Sequence, residues 1–129
     1  MTDPIQESPF KGKTGLRRLI NATGYSIDGL AAAWRHESAF RQVCLLALIG
    51  IGITVFLPMP AWGRGLIVFA HLLSVIVELF NSAIEAAVDH TSLEHHPLAK
   101  RAKDLGSAAQ FISLLNMSAI WICTLMELI

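Results

Sequence analysis

Charge is scarce in this chain, and neither sign prevails. Only 16% of its 129 residues are Asp, Glu, Lys or Arg, and the formal net charge is zero. Nothing in that balance points to a nucleic-acid partner. Cysteine is almost missing. Cys44 and Cys123 lie deep in apolar stretches and read as buried reduced thiols, and no spacing suggests a zinc site. The opening MTDPIQESPFKGKT lacks the apolar core and small-residue cleavage site of a signal peptide, and reads as a flexible polar lead-in over residues 1–14. A phosphate-binding loop is missing as well. GKT at 12–14 matches the end of GxxxxGK[ST], but that pattern wants a glycine at position 7, where Glu7 stands, and no strand precedes it.

Apolar side chains are abundant. They make up 53% of the residues, more than a soluble domain of this size can bury, so lipid must cover part of the surface. Three stretches approach or exceed the about 20 helical residues that cross a bilayer: about 40–57, about 63–88 and about 105–129. The first stops at the prolines of LPMP. Before it, Leu16, Leu19, Ile20, Tyr25, Ile27, Leu30 and Trp34 recur at helical spacing among Arg17, Arg18 and Asp28. This predicts an amphipathic surface helix over about 15–36, bent at Gly24. On pattern alone that helix could be merely an anchor. The expected fold is an all-α membrane domain over 15–129, with three transmembrane helices and one N-terminal surface helix.

Basic residues set the expected orientation. Lys11, Lys13, Arg17, Arg18, Arg35 and Arg41 precede the first span, and Lys100, Arg101 and Lys103 lie between the second and third. The turn between the first two spans holds only Arg64. The N-terminus is therefore expected in the cytoplasm and the C-terminus outside, with Trp62 and Trp121 at interfacial or outer-side positions.

Against this background VELFNSAIEAAVDH, at 77–90, is out of place. At 100° per residue, Glu78, Asn81 and Glu85 fall within about 60° of one another on a helix. His71 and Asp89 extend the stripe towards both ends. Such a stripe must face other helices or a watery cleft, because an ionised carboxylate in hydrocarbon costs several kcal/mol. Counting about 20 residues inward from Trp62 puts the cytoplasmic boundary near Ser82. Glu78 is then about one turn inside the acyl region, while Glu85 and Asp89 stand in the headgroup layer or above it.

That division suggests two jobs. A carboxylate half in lipid is poorly solvated as an anion and can exchange protons near neutrality, as a general base must. Carboxylates in the aqueous layer can hold Mg²⁺ through oxygen. Glu37, at the edge of the first span, has a height similar to that of Glu85, and the two could clamp one ion. The alternative is that they pair with Arg35, Arg41 or Lys103. Lys103 and Asp104 belong to the first turns of the third helix, which starts between Leu98 and Ala102, and a lysine there could neutralise phosphate oxygens. His95 and His96 read as polar loop residues rather than metal ligands.

Three blocks resemble the small integral-membrane diacylglycerol kinases of Gram-negative bacteria: ATGYSIDGLAAAWRHESAFRQ at 22–42, VELFNSAIEAAVDH at 77–90 and RAKDLGSAA at 101–109. They keep the family's order, and E-x-x-N-S-x-I-E-x-x-x-D beside RAKD-x-GSAA is highly specific. The resemblance implies a homotrimer in the cell inner membrane whose active sites are shared between neighbouring chains. It implies transfer of the γ-phosphoryl of MgATP to the hydroxyl of diacylglycerol, giving phosphatidic acid.

By matching position, Glu78 is the family's catalytic base and Glu37 and Glu85 are its metal ligands, which also contact ATP. Asn81 supports them. Arg18, Tyr25, Glu94, His95, His96, Lys103 and Asp104 surround the nucleotide, with Lys103 facing the phosphates. The lipid groove takes Ala22, Thr23, Gly24, Tyr25, Ser26, Ile27, Ala31, Ala32, Ala33, Trp34, Ala39, Phe40, Arg41, Gln42, Val43, Glu78 and Ser107, and more weakly Arg64 and Trp121. His95, Lys100 and Ile27 replace the family's tyrosine, glycine and tryptophan. Three rivals stand beside this reading. One is the related polyprenol kinase, another a small ion-conducting subunit built on Glu78, and the third a structural adaptor that leaves the stripe unexplained.

Overall fold

The computed structural model describes residues 15–91 and 94–129; the polar lead-in and Ser92 and Leu93 lie outside the described residues. Four helices follow in order: α1 (Leu16–His36), α2 (Ser38–Phe56), α3 (Ala61–Thr91) and α4 (Pro97–Met126). Among the described residues there is no strand. The chain divides into two compact units that part between Ala32 and Ala33.

In the first unit, Gly15 has φ 77°, a value open to glycine, and its carbonyl accepts the N–H groups of Arg18 (3.0 Å) and Leu19 (3.4 Å) to start α1. The helix continues through Gly24, where a bend was expected. Leu16, Leu19, Ile20, Tyr25, Ile27 and Leu30 are all exposed, as is Trp34 just past the boundary of the unit.

The second unit is a three-helix stack with α3 packed against both α2 and α4. Its seam mixes apolar residues with small and polar ones at alternating steps of three and four: Phe40, Val43, Ala47, Gly50 and Thr54 on α2, and Gly106, Gln110, Ser113 and Met117 on α4. Between them α3 buries Gly63, Ile67, Ala70, His71, Ser74 and Glu78. Spacing of this kind keeps one stripe towards the partner helix, and small residues let backbones approach closely where lipid gives no hydrophobic drive between helices. The contacts are antiparallel: Asn81 meets Gly106, Ser74 meets Gln110, and Gly63 meets Thr124.

Helix ends follow local chemistry. α2 stops before Pro58 and Pro60, which have no N–H to continue the ladder. Arg64 takes over two of the stranded carbonyls, donating Nε to Thr54 (3.0 Å) and Nη2 to Leu57 (3.1 Å). α4 starts at Pro97, one residue ahead of the expected window, because proline suits the first helical position and the His96 ring accepts the Leu98 N–H at 3.1 Å as the cap.

All three helices of the stack are long and apolar enough to cross a membrane, and only 22–28% of their most apolar windows is buried within the chain. Most of their surface must be covered by something else. α3 has 31 residues and so measures about 46 Å, against about 30 Å of hydrocarbon. About ten of its residues stand outside the acyl layer.

Candidate active site

The site grows from the buried stripe of α3. Glu78 is 3% exposed, with Ser74 one turn and His71 two turns further along the same face, each 1% exposed. Hydrogen bonds knit this stretch to α4. Gln110 Nε2 donates to Ser74 Oγ (2.9 Å), and Ser113 Oγ lies 3.1 Å from Gln110 Oε1 and 3.3 Å from Ser74 Oγ. His71 Nδ1 donates to the Ile67 carbonyl (2.8 Å), its ring stands edge-on to Trp121 at 6.2 Å, and its far side rests against Gly50 of α2. The carboxyl of Glu78 thus caps a column of satisfied polar groups walled by helices.

Glu85 and Glu37 lie near enough for their charges to act on Glu78, Glu85 the more strongly. Asn81 stands between them on the stripe and points its amide at Glu85 Oε1 (3.5 Å). Asn81 Oδ1 is buried and has no hydrogen-bond partner among the described residues. Glu37 occupies the N-cap position of α2 in extended backbone (φ −110°, ψ 108°), and its side chain makes no cap hydrogen bond.

The expected alternative pairings do not form among the described residues. Arg41 gives its guanidinium to the carbonyls of Trp34 (2.8 Å) and Arg35 (3.5 Å), and Lys103 pairs with Asp89 (2.6 Å). No group of three or more His, Cys, Asp or Glu side chains there is arranged to hold a metal ion.

Beyond Glu85 the last turns of α3 and the first turns of α4 frame a cleft of about 230 Å³, lined by Val88, Asp89, Glu94, His95, His96, Ala99, Lys100 and Lys103. Four residues expected around a nucleotide, Glu94, His95, His96 and Lys103, therefore share one wall. Asp104 is turned to Lys100 in an exposed ion pair of 2.5 Å. His96 uses Nδ1 in capping α4.

Other expected residues are dispersed. Arg64 is 14 residues from Glu78 on α3, about 21 Å along the axis, and Trp121 meets His71 rather than Glu78. Ala33, Phe40 and Val43 are buried in the core of the second unit, whereas Trp34, Ala39, Gln42 and Ser107 are exposed. Arg18, Tyr25 and the segments 22–27 and 31–32 belong to the first unit, where the hydroxyls of Thr23 and Ser26 return to the carbonyls of Leu19 (3.0 Å) and Ala22 (2.9 Å).

Sequence reasoning missed Ser74, Gln110, Ser113 and Gly106. Their signal was present: Ser74 is one turn from Glu78, and Gly106 and Gln110 are one turn apart on α4.

Comparison with known proteins identifies the family. The family model described as prokaryotic diacylglycerol kinase matches residues 24–125. A diacylglycerol kinase of Pseudomonas aeruginosa is 53% identical over 91% of this chain and 95% of its own length. One from Helicobacter pylori is 51% identical over 89% of both chains, and one from Escherichia coli 45% identical over 84% of this chain and 88% of its own. With matches of that depth and extent, carried by a helical domain with three membrane-length helices, the chain belongs to the prokaryotic diacylglycerol kinase family and is a kinase.

Proposed function

We propose that this chain transfers the γ-phosphoryl group of ATP to the free hydroxyl of diacylglycerol, giving phosphatidic acid and ADP at the cytoplasmic face of the inner membrane. One observation carries the reading: a buried carboxylate, Glu78, lies on a membrane-length helix within range of the Glu85 and Glu37 charges, on the side of the helix that leads to the Lys103 cleft. The relatives, all named diacylglycerol kinases, favour this acceptor over a polyprenol.

In this mechanism the lipid hydroxyl reaches Glu78 from the bilayer. Glu78 takes its proton as the oxygen attacks the γ-phosphorus and the bond to the β-phosphate oxygen breaks. Lys103 shares itself between Asp89 and the phosphates, and the walls of the cleft hold the rest of the nucleotide. Phosphoryl transfer asks chiefly for positioning and charge neutralisation, which this set supplies. Mg²⁺ prefers one or two carboxylates together with phosphates and water. Glu37, which caps nothing, and Glu85, oriented by Asn81, fit that demand. Bound there, the ion would neutralise phosphate charge.

The exposed Trp34, Ala39 and Gln42 contact the lipid, backed by Phe40 and Val43. The chain works as a homotrimer whose neighbours complete each site, with α1 lying on the membrane surface.

The test is a mixed-micelle assay with labelled ATP. Labelled phosphatidic acid from diacylglycerol is expected. Labelling of undecaprenol alone would move the acceptor to the polyprenol class. Ion flux through liposomes without any phosphorylated product would replace the kinase mechanism with conduction.

A further inference from the structure

We propose that Gly106 is a positioning residue for this site. Having no side chain, it lets the Asn81 carboxamide lie against α4 with its oxygen inward and its amide towards Glu85. The inference rests on the metal-nucleotide role proposed for Glu85.

A Cβ built on Gly106 would collide with Asn81 Oδ1. The same atom would stand 3.3 Å from Asn81 Cγ and 3.7 Å from Asn81 Cα. The last is an ordinary van der Waals distance, so the α3 and α4 backbones are spaced widely enough for an alanine. What an alanine would displace is the carboxamide. Turning that group over offers no relief, because its nitrogen is as large as its oxygen and would take the same place. It would also bring the carbonyl against the Glu85 carboxylate, oxygen to oxygen. The carboxamide would have to swing away from α4.

The oxygen that Gly106 accommodates is the buried atom without a conventional partner. One Cα–H bond of glycine occupies the Cβ direction and therefore points at it, a weak contact that recurs where helices pack closely. With the oxygen so placed, the amide has one strong acceptor in reach, Glu85 Oε1 at 3.5 Å. Gly106 thus acts on Glu85 at one remove. By contrast, a Cβ at Gly52 or Gly65 would meet nothing within 4 Å.

The experiment uses the full chain in detergent micelles and measures binding of Mn²⁺ with ADP from the free-ion magnetic-resonance signal. Gly106→Ala is expected to weaken binding by about tenfold or more, the range for losing a group that orients a ligand. Asn81→Ala is expected to show a similar loss, and Gly52→Ala none. Adding Gly106→Ala to Asn81→Ala is expected to change nothing further.

Wild-type binding by Gly106→Ala overturns the proposal, and so does a full additional loss in the double variant. If Gly106→Ala does not fold, recovery of folding in the double variant supports the collision, and failure to recover overturns it. Glu85→Gln separates the two levels. Unchanged binding there sinks the metal assignment and this inference with it. Weakened binding there, with Gly106→Ala unaffected, sinks this inference alone.

Discussion

At Glu78 a carboxylate is held at 3% exposure in a helix that is otherwise a membrane span, with two further acids acting on it. Nothing in packing requires an acid there, since leucine would fill the seam at lower cost. Glu78→Gln keeps the shape and removes the proton acceptor. Turnover is expected to fall by at least about a hundredfold, within the usual share of general-base catalysis, while MgATP binding persists. Turnover that survives in Glu78→Gln would end the base assignment. Glu85→Gln is expected to do the reverse, weakening nucleotide-metal binding by at least about tenfold, as read by titration. These residues were legible because helical spacing alone puts 78, 81 and 85 on one face. The partner of Lys103 was not. Rim height and charge allowed Glu37, Glu85 or a phosphate, and only the three-dimensional path of α3 brings Asp89 to it at 2.6 Å.

Within α2, α3 and α4 the steps of three and four residues fix which face of each helix turns inward, and the lengths of the apolar runs announced three spans. They do not fix how far one helix slides along another. That offset decides that Ser74 finds Gln110 and that His71 finds Gly50, and it comes from the fit of side chains between helices. Gly50 gives a direct check, because an added Cβ would run into the His71 ring. Gly50→Ala is expected to destabilise the chain by about 1–3 kcal/mol, the usual cost of overpacking, measured by denaturant titration in micelles. Combining it with His71→Ala is expected to cost less than the two changes summed. Additive losses would mean that the ring is not what the new methyl meets.

For the molecule as a whole, the chain leaves large apolar side chains such as Leu48, Phe69, Phe80 and Phe111 more than half exposed. A sequence cannot say which of these face lipid and which face another copy, because both environments select the same residue types. If neighbours complete each site in a trimer, two defective protomers can repair one another. Glu78→Gln chains mixed with Tyr25→Ala chains, each impaired alone, are expected to regain a measurable fraction of turnover after co-reconstitution. No recovery would confine the site to one chain. Orientation is read by reporter fusions, with an alkaline phosphatase joined after Ile129 expected to be active outside the cytoplasm and one at the N-terminus silent.

In that orientation the tip of the α2–α3 hairpin must pass through the bilayer during insertion, and the first turn of α3, beside that tip, carries one cation, Arg64. Its guanidinium is already chelated by the terminal carbonyls of α2, the negative end of that helix. Two donors of that cation are thus solvated from within the hairpin, which lowers the cost of carrying it through hydrocarbon.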